Sequence, residues 1–261
     1  MQLATWNVNS LAVRLPQVLD WLAANPVDLL CLQELKLTDD KFPHDALQAA
    51  GYTAAAFGQK TYNGVAILSR HPLRDVVRNI TGLQDEQARV ISATVDAPGG
   101  PLRVVNGYFV NGQAPGTDKF TYKMGWLDGL QAMLRSELQA HPRLALLGDF
   151  NITADDRDSY DPEGLRETIH HTSEERAHFQ ALLALGLTDA FRMFEQPDKS
   201  YSWWDYRDFG FRRNRGLRID HILVSEALKP LVTACTIDKL PRKNERPSDH
   251  TPVVVDLALT A

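Results

Sequence analysis

Ser248-Asp249-His250 sets a carboxylate beside an imidazole, just ahead of Pro252 and the apolar run Val253-Val254-Val255. A carboxylate in that place can ligate a metal or hold a histidine ring in one tautomer while the ring faces a substrate. Alone, such a tripeptide is more often an ordinary turn before a strand. Gly148-Asp149-Phe150-Asn151 offers a second constellation. Residues two apart on an extended chain point the same way, so Asp149 and Asn151 face one pocket together. The carboxylate there can take a proton from water and the amide can hold an oxyanion. Gly148 permits an unusual backbone or a close approach.

Polar residues recur where apolar stretches stop. Asn7 and Asn9 follow Leu3-Ala4-Thr5-Trp6, Glu34 follows Leu29-Leu30-Cys31-Leu32-Gln33, Asn106 and Tyr108 end Val104-Val105, and Asp220 follows Leu217-Arg218-Ile219. Any one of these is usually a cap or turn former. Together they carry more weight, because the ends of adjacent strands converge in space. The candidate ligands Asn7, Glu34, Asp149, Asn151 and Asp249 all offer oxygen. Cys31 and Cys235 stand alone, His170-His171 is a lone pair, and no Cys/His cluster has zinc spacing. Hard oxygen donors favour Mg²⁺ or Mn²⁺ over zinc. Such a site suits phosphoester chemistry, where a metal neutralises charge on the phosphate and the leaving oxygen.

Ser202-Trp203-Trp204-Asp205-Tyr206-Arg207 is followed by Arg212, Arg213, Arg215 and Arg218. Aromatic faces interleaved with guanidinium groups suit bases or sugars plus phosphates. A core aromatic pair with a solvated arginine face accounts for the same residues equally well. Lys60, Lys119, Lys123, Arg242, Lys243 and Arg246 would extend a positive surface.

These groups need strands to carry them. Short apolar segments predict strands over Leu3–Asn7, Leu29–Gln33, Thr53–Phe57, Val65–Ser69, Arg89–Val95, Leu102–Tyr108, Leu144–Leu147, Ile219–Val224 and Pro252–Leu257. Helical spacing predicts Pro16–Ala24, with Pro16 near its first turn, and Met124–Ala140 with its stripe of Trp126, Leu127, Leu130, Met133, Leu134 and Leu138. Ser173–Leu185 reads as a helix capped by Ser173 and stopped at Gly186. Alternating strands and helices imply α/β or α+β with two packed sheets. Val110–Thr121, Ile152–Thr172 and Asp205–Leu217 read as long functional loops.

The 261 residues, 44% of them hydrophobic and 23% charged, suit a soluble globular chain with a sizeable core. No apolar run is long enough to span a bilayer, so no membrane partner is expected. The start of the chain lacks a basic then apolar leader. Cys31 reads as a buried free thiol, and a reducing cytoplasm is the default compartment. A net charge of -5 argues against a wholly basic coat, while leaving local basic patches open.

In order, Trp6-Asn7-Val8-Asn9-Ser10-Leu11, Leu32-Gln33-Glu34-Leu35-Lys36, Asn106-Gly107-Tyr108-Phe109, Gly148-Asp149-Phe150-Asn151, Trp203 to Arg207, Asn214 to Asp220 and Ser248-Asp249-His250 resemble the exonuclease III family of the endonuclease/exonuclease/phosphatase superfamily. The likeness runs from Met1 to the last strand. It implies one domain over residues 1–261, a four-layer αββα sandwich with two packed mixed sheets flanked by helices, and a Mg²⁺-dependent phosphodiesterase acting on DNA. Its substrates would be duplexes with a nick, a recessed 3′ end or an abasic site, and the protein a monomer in the nucleoid-associated cytoplasm.

The same resemblance implies roles. Glu34 matches the main metal ligand, with Asn7 and Asp249 beside it. Asp149 matches the residue that activates water, Asn151 the phosphate holder, and Tyr108 a phosphate-site tyrosine. His250 matches the imidazole at the scissile phosphate, and Asp220 the carboxylate that orients it. One metal or two is left open; with two, Asp149, Asn151 and His250 also reach a metal. Trp203 and Ile219 match a pocket for a flipped-out abasic sugar, and Arg207, Arg212 and Arg215 fall in the stretch that meets DNA.

One segment departs from the pattern. Ile169-His170-His171-Thr172 is bulky where many abasic endonucleases carry small or flexible residues. If this loop borders the DNA groove, His170 blocks an intact strand but admits a 3′ nucleotide or 3′ phosphate, and 3′-end processing exceeds abasic-site incision. Two other readings compete. A superfamily phosphatase or phospholipid diesterase would usually lack the Trp203–Arg218 block. A non-catalytic DNA-binding module should show a broken catalytic position, and none is broken.

Overall fold

A computed structural model describes residues 1–259; positions 260 and 261 of the expected 1–261 domain lie outside the described residues. Fourteen strands and four α-helices follow in the order β1 Gln2–Asn7, α1 Leu11–Ala24, β2 Leu29–Gln33, α2 His44–Ala49, β3 Thr53–Phe57, β4 Val65–Ser69, β5 Leu73–Arg78, β6 Val90–Ala97, β7 Gly100–Tyr108, α3 Asp118–Ala140, β8 Leu144–Asp149, α4 Ser173–Ala184, β9 Leu187–Asp189, β10 Trp203–Trp204, β11 Gly216–Leu217, β12 Asp220–Ser225, β13 Val232–Ile237 and β14 Val253–Leu257. One six-stranded sheet has the order β13-β14-β1-β2-β4-β3 and the other β5-β6-β7-β8-β12-β9. Both are mixed. β1–β2 and β7–β8 are parallel pairs, and the other pairings are antiparallel.

The apolar runs explain the layering. Every residue of β2 is fully buried, which requires cover on both faces. Successive residues sort accordingly: Leu29 and Cys31 join a core between the two sheets, while Leu30 and Leu32 join a second core under α1 and α2. β8 repeats the arrangement. Ala145 and Leu147 enter the shared core, and Leu144 and Leu146 enter a third core under α3 and α4. The result is the four-layer αββα sandwich. Each such aliphatic side chain contributes roughly 1.5–3 kcal/mol by leaving water, so one-residue register slips are strongly disfavoured. Asn106 crosses between the sheets, donating to the carbonyls of Leu32 and Ala66 at 2.9 and 2.8 Å and accepting from Gln33 at 2.8 Å. It is a buried structural crosslink.

Several sequence expectations are corrected. α1 starts at Leu11, so Pro16 lies inside the helix and not in its first turn. α3 starts six residues before Met124, at Asp118, because the Thr117 side chain accepts from Phe120 N. The cap of α4 is Thr172, in a reciprocal capping box with Glu175; Ser173 is the first helical residue. β5, β9, β13, the short pair β10–β11 and α2 were not anticipated. β8 runs on through Gly148 to Asp149, two residues beyond the expected end.

Candidate active site

Five strand ends from two sheets build the site. In one sheet β1 ends at Asn7 and Glu34 follows β2; in the other β7 ends at Tyr108, β8 at Asp149, and β12 opens on Asp220. Gly148 makes the crowding possible. A Cβ there would sit 1.9 Å from the Gly107 carbonyl oxygen, so only glycine lets β7 and β8 approach and deliver Tyr108 opposite Asp149. Glu34 and Asn151 both hold left-handed backbone, φ 54° and 50°. Such conformations in non-glycine residues cluster where function constrains the chain.

Asn7 Nδ2 donates to Glu34 Oε1 at 2.8 Å and to Asp149 Oδ2 at 2.9 Å. His250 Nδ1 lies 2.9 Å from Asp220 Oδ2, and its Nε2 lies 3.6 Å from Asp149 Oδ2. Ser202 Oγ donates to Asp220 Oδ2 at 2.7 Å. Asp249 stands to one side, accepting from Trp203 Nε1 at 2.9 Å and Asn9 Nδ2 at 3.0 Å. Asn151 donates its backbone N–H to Asp149 Oδ1 at 3.0 Å and its Nδ2 to the Phe109 carbonyl at 3.0 Å. The neighbouring Phe109 and Phe150, both fully buried, stack with centroids 4.1 Å apart.

The electrostatics follow from burial. Burial opposes the charged form of His250, but Asp220 and Asp149 overcome it and raise its pKa to about 10. Burial, then the nearby carboxylates of Asp220 and Glu34, raises Asp149 to about 7 against the pull of His250. Burial, with Glu34 and Asp149 close by, lifts Tyr108 well above the ordinary phenol range while Arg89 stacks 4.9 Å over its ring. The two carboxylates thus favour the protonated form of His250, whose Nε2 faces Asp149 Oδ2 at 3.6 Å.

Ligand atoms of Glu34, Asp149 and His250 all lie within 4.8 Å of one another. With His250 protonated, the oxygens of Glu34 and Asp149 remain as donors. Lys36 pairs with the far oxygen of Glu34 at 3.0 Å. Two carboxylates converging on one amide nitrogen, with Asp149 raised by its crowding, leave negative charge that a hard divalent cation would neutralise. The donor set fits such an ion.

Beside this centre lies a cavity of about 490 Å³, whose lining includes Tyr160, Ile169, His170, Trp203, Arg207 and Arg215. His170 is half-buried, and its Nδ1 lies 2.7 Å from the Asn151 carbonyl oxygen. Burial and the charge of Lys123 push it down to about 3, so the ring is neutral and donates from Nδ1. Ile219, expected at this pocket, is 2% exposed and is not among the lining residues.

The aromatic and basic stretch divides between its two readings. Trp204 is buried, and Arg218 is buried in pairs with Asp158 and Asp189. Trp203 is half-exposed, while Arg207, Arg212 and Arg215 face solvent, Arg207 paired with Asp205 at 2.6 Å and Arg215 5.0 Å over the Tyr160 ring. Lys123 and Arg242, expected on a positive surface, are buried; Arg242 packs on Phe211 and Tyr206. Ser202 escaped the sequence reading, because a lone serine before two tryptophans carries no signal of its partner Asp220.

Fold and site define a hydrolase of the endonuclease/exonuclease/phosphatase class: a family model of that description matches residues 4–250, and the chain belongs to it. Within the class it is similar to exodeoxyribonuclease III of Haemophilus influenzae, 35% identical over 262 residues that cover 97% of this chain and 98% of the other. A structure of the 3′ phosphatase NExo from Neisseria, bound to product DNA hairpin, is 51% identical with a TM-score of 0.95, covering 98% of this chain and 99% of that one. An AP endonuclease from Archaeoglobus fulgidus is 32% identical with a TM-score of 0.93 over 98% and 99% of the two chains. No helix among the described residues is long and apolar enough to cross a membrane.

Proposed function

We propose that this protein is a Mg²⁺-dependent DNA-repair phosphodiesterase acting at 3′ ends of duplex DNA, as a 3′→5′ exonuclease and a 3′-phosphate-removing enzyme. The observation that carries the reading is the line Asp220–His250–Asp149, buried at the same strand ends as Glu34. Exonuclease and 3′ phosphatase relatives support it. Glu34 and Asp149 would hold the ion, with Asn7 and Asp249 beside them and Mn²⁺ able to substitute. Bound there, a divalent cation supplies charge neutralisation at the phosphate and the leaving oxygen.

The chain's own groups do the rest. Asp149 takes a proton from the attacking water. Asp220 holds His250 charged, so its Nε2–H donates to a phosphate oxygen as negative charge builds there. Asn151 and Tyr108 orient the phosphate from the other side. Trp203 and the exposed Arg207, Arg212 and Arg215 meet the DNA backbone near the nick, recessed end or abasic site. His170 walls the cavity, which restricts abasic-site incision relative to 3′-end processing. On this reading the protein is one domain over 1–261 and works as a monomer in the nucleoid-associated cytoplasm.

A nicked or recessed duplex carrying a 3′ phosphate, incubated with Mg²⁺ and with or without EDTA, tests the proposal. Release of nucleotide and phosphate should require the metal. No metal-dependent release from either substrate would overturn it.

A further inference from the structure

Lys123 of α3 and Glu175 of α4 form an ion pair with both side chains 0% exposed, away from any surface a substrate can reach. The Lys123 ammonium donates to Glu175 Oε1, to the Asn151 carbonyl at 2.8 Å and to the Asn111 carbonyl at 3.3 Å, using all its protons. Glu175 Oε1 also accepts from His170 N at 3.1 Å, and its Oε2 accepts from Thr172 N at 3.1 Å and Thr172 Oγ1 at 2.8 Å. The Asn151 carbonyl thus receives Lys123 Nζ and His170 Nδ1 together, at a residue whose φ is 50°.

Stability does not explain this arrangement. Two charges withdrawn from water gain little over an apolar pair of the same volume, however well bonded. A left-handed non-glycine backbone, by contrast, persists only when surrounding contacts determine it. The two donors on its carbonyl turn the Asn151 peptide toward α3, and with its N–H bound to Asp149 and its Nδ2 to the Phe109 carbonyl the residue is fixed in place beside Asp149.

We propose that the Lys123–Glu175 pair is a positioning device for Asn151, acting through the Asn151 carbonyl so that the pair governs turnover while touching no substrate. The inference rests on the reading that Asn151 orients the phosphate. Displacing a group by about 1 Å can cost on the order of 100-fold in rate.

The test uses the double variant Lys123→Met/Glu175→Gln, which removes both charges, keeps the volume and retains an acceptor for Thr172. Glu175→Gln alone is a milder second variant. With a 3′-phosphate duplex and Mg²⁺, kcat should fall about 10- to 100-fold in the double variant and at least several-fold in Glu175→Gln, with KM within about threefold. The control is Arg103→Met/Glu137→Gln, which removes the Arg103–Glu137 pair of β7 and α3, where Arg103 Nε lies 2.6 Å from the carboxylate. It should lower the melting temperature and leave kcat unchanged. Asn151→Ala, measured alongside, should lower kcat, and combining it with the double variant should add little. Retained kcat in the double variant or in Glu175→Gln, beside a slow Asn151→Ala, overturns the positioning role. So does a fall in kcat no greater than the control shows for the same drop in melting temperature. Retained kcat in Asn151→Ala overturns the underlying reading of Asn151 instead.

Discussion

Asp220 Oδ2 sits 2.9 Å from His250 Nδ1 and receives Ser202 Oγ at 2.7 Å, so one buried carboxylate oxygen fixes the ring's orientation and favours its charge. The histidine's other nitrogen is left facing Asp149 at 3.6 Å. The acid–base character of the site therefore depends on a residue that need not touch a substrate.

Asp220→Asn should lower turnover by about 100-fold or more with DNA affinity little changed, because a wrongly held imidazole fails in the transition state. Asp149→Asn and His250→Ala should behave alike. Single-turnover rates set beside equilibrium binding to a 3′-phosphate duplex check this. Preserved turnover in Asp149→Asn and His250→Ala would remove the proposed mechanism.

The charge on His250 predicts a pH dependence of folding. Its folded pKa, about 10, lies above the ordinary 6.5. A raised pKa means the protonated form favours the folded state, so this stabilisation is full below pH 6.5 and lost as pH rises through about 10. Asp149 has the same sign, its contribution being lost as pH rises through about 7. In EDTA, the melting temperature between pH 7.5 and 10 should fall more steeply for the wild-type chain than for His250→Gln. Parallel slopes would contradict the assignment.

His170 lies on the cavity wall and is tied to the Asn151 carbonyl. His170→Gly should raise abasic-site incision at least several-fold relative to 3′-phosphate removal, which itself should fall because one donor to the Asn151 carbonyl is lost. Both rates on otherwise identical duplexes decide it; unchanged incision sinks the gating role.

Ser10 occupies φ 88°, ψ 106° at the cap of α1, with no side-chain capping bond. Strain of this kind costs about 1–3 kcal/mol, and glycine would relieve it at an entropic cost of about 0.5–1 kcal/mol. Ser10→Gly should therefore stabilise the fold by roughly 1 kcal/mol, read as a higher urea midpoint. A lower midpoint would show that the conformation carries no strain.

Much of this architecture was legible along the chain. β1, β2, β4, β6, β7, β8, β12 and β14 announce themselves as apolar runs because interior strands of a four-layer sandwich are covered on both sides. The edge strand β3 was legible too, through the apolar run Ala54-Ala55-Ala56-Phe57, whereas the other edges were not: β5 and β13 are partly exposed, β9 is only three residues long, and none leaves a continuous apolar run. The polar residues at strand ends were legible too, because chemistry there needs particular side chains at fixed spacings. Which of those residues meet is another matter.

Residue types, motif order and the oxygen-rich character of the site are properties of the sequence itself, since each is carried by a few consecutive residues. The family resemblance already paired Asp220 with His250, and the structure sets them 2.9 Å apart; tertiary structure alone decided that Asn106 ties the sheets and that Lys123 and Arg218 are buried ions. Their partners, Glu175 and Asp158, lie 52 and 60 residues away in the chain. Whether a charge is solvated, paired or used to aim another residue depends on what the fold brings within about 3 Å of it, and no local pattern encodes that.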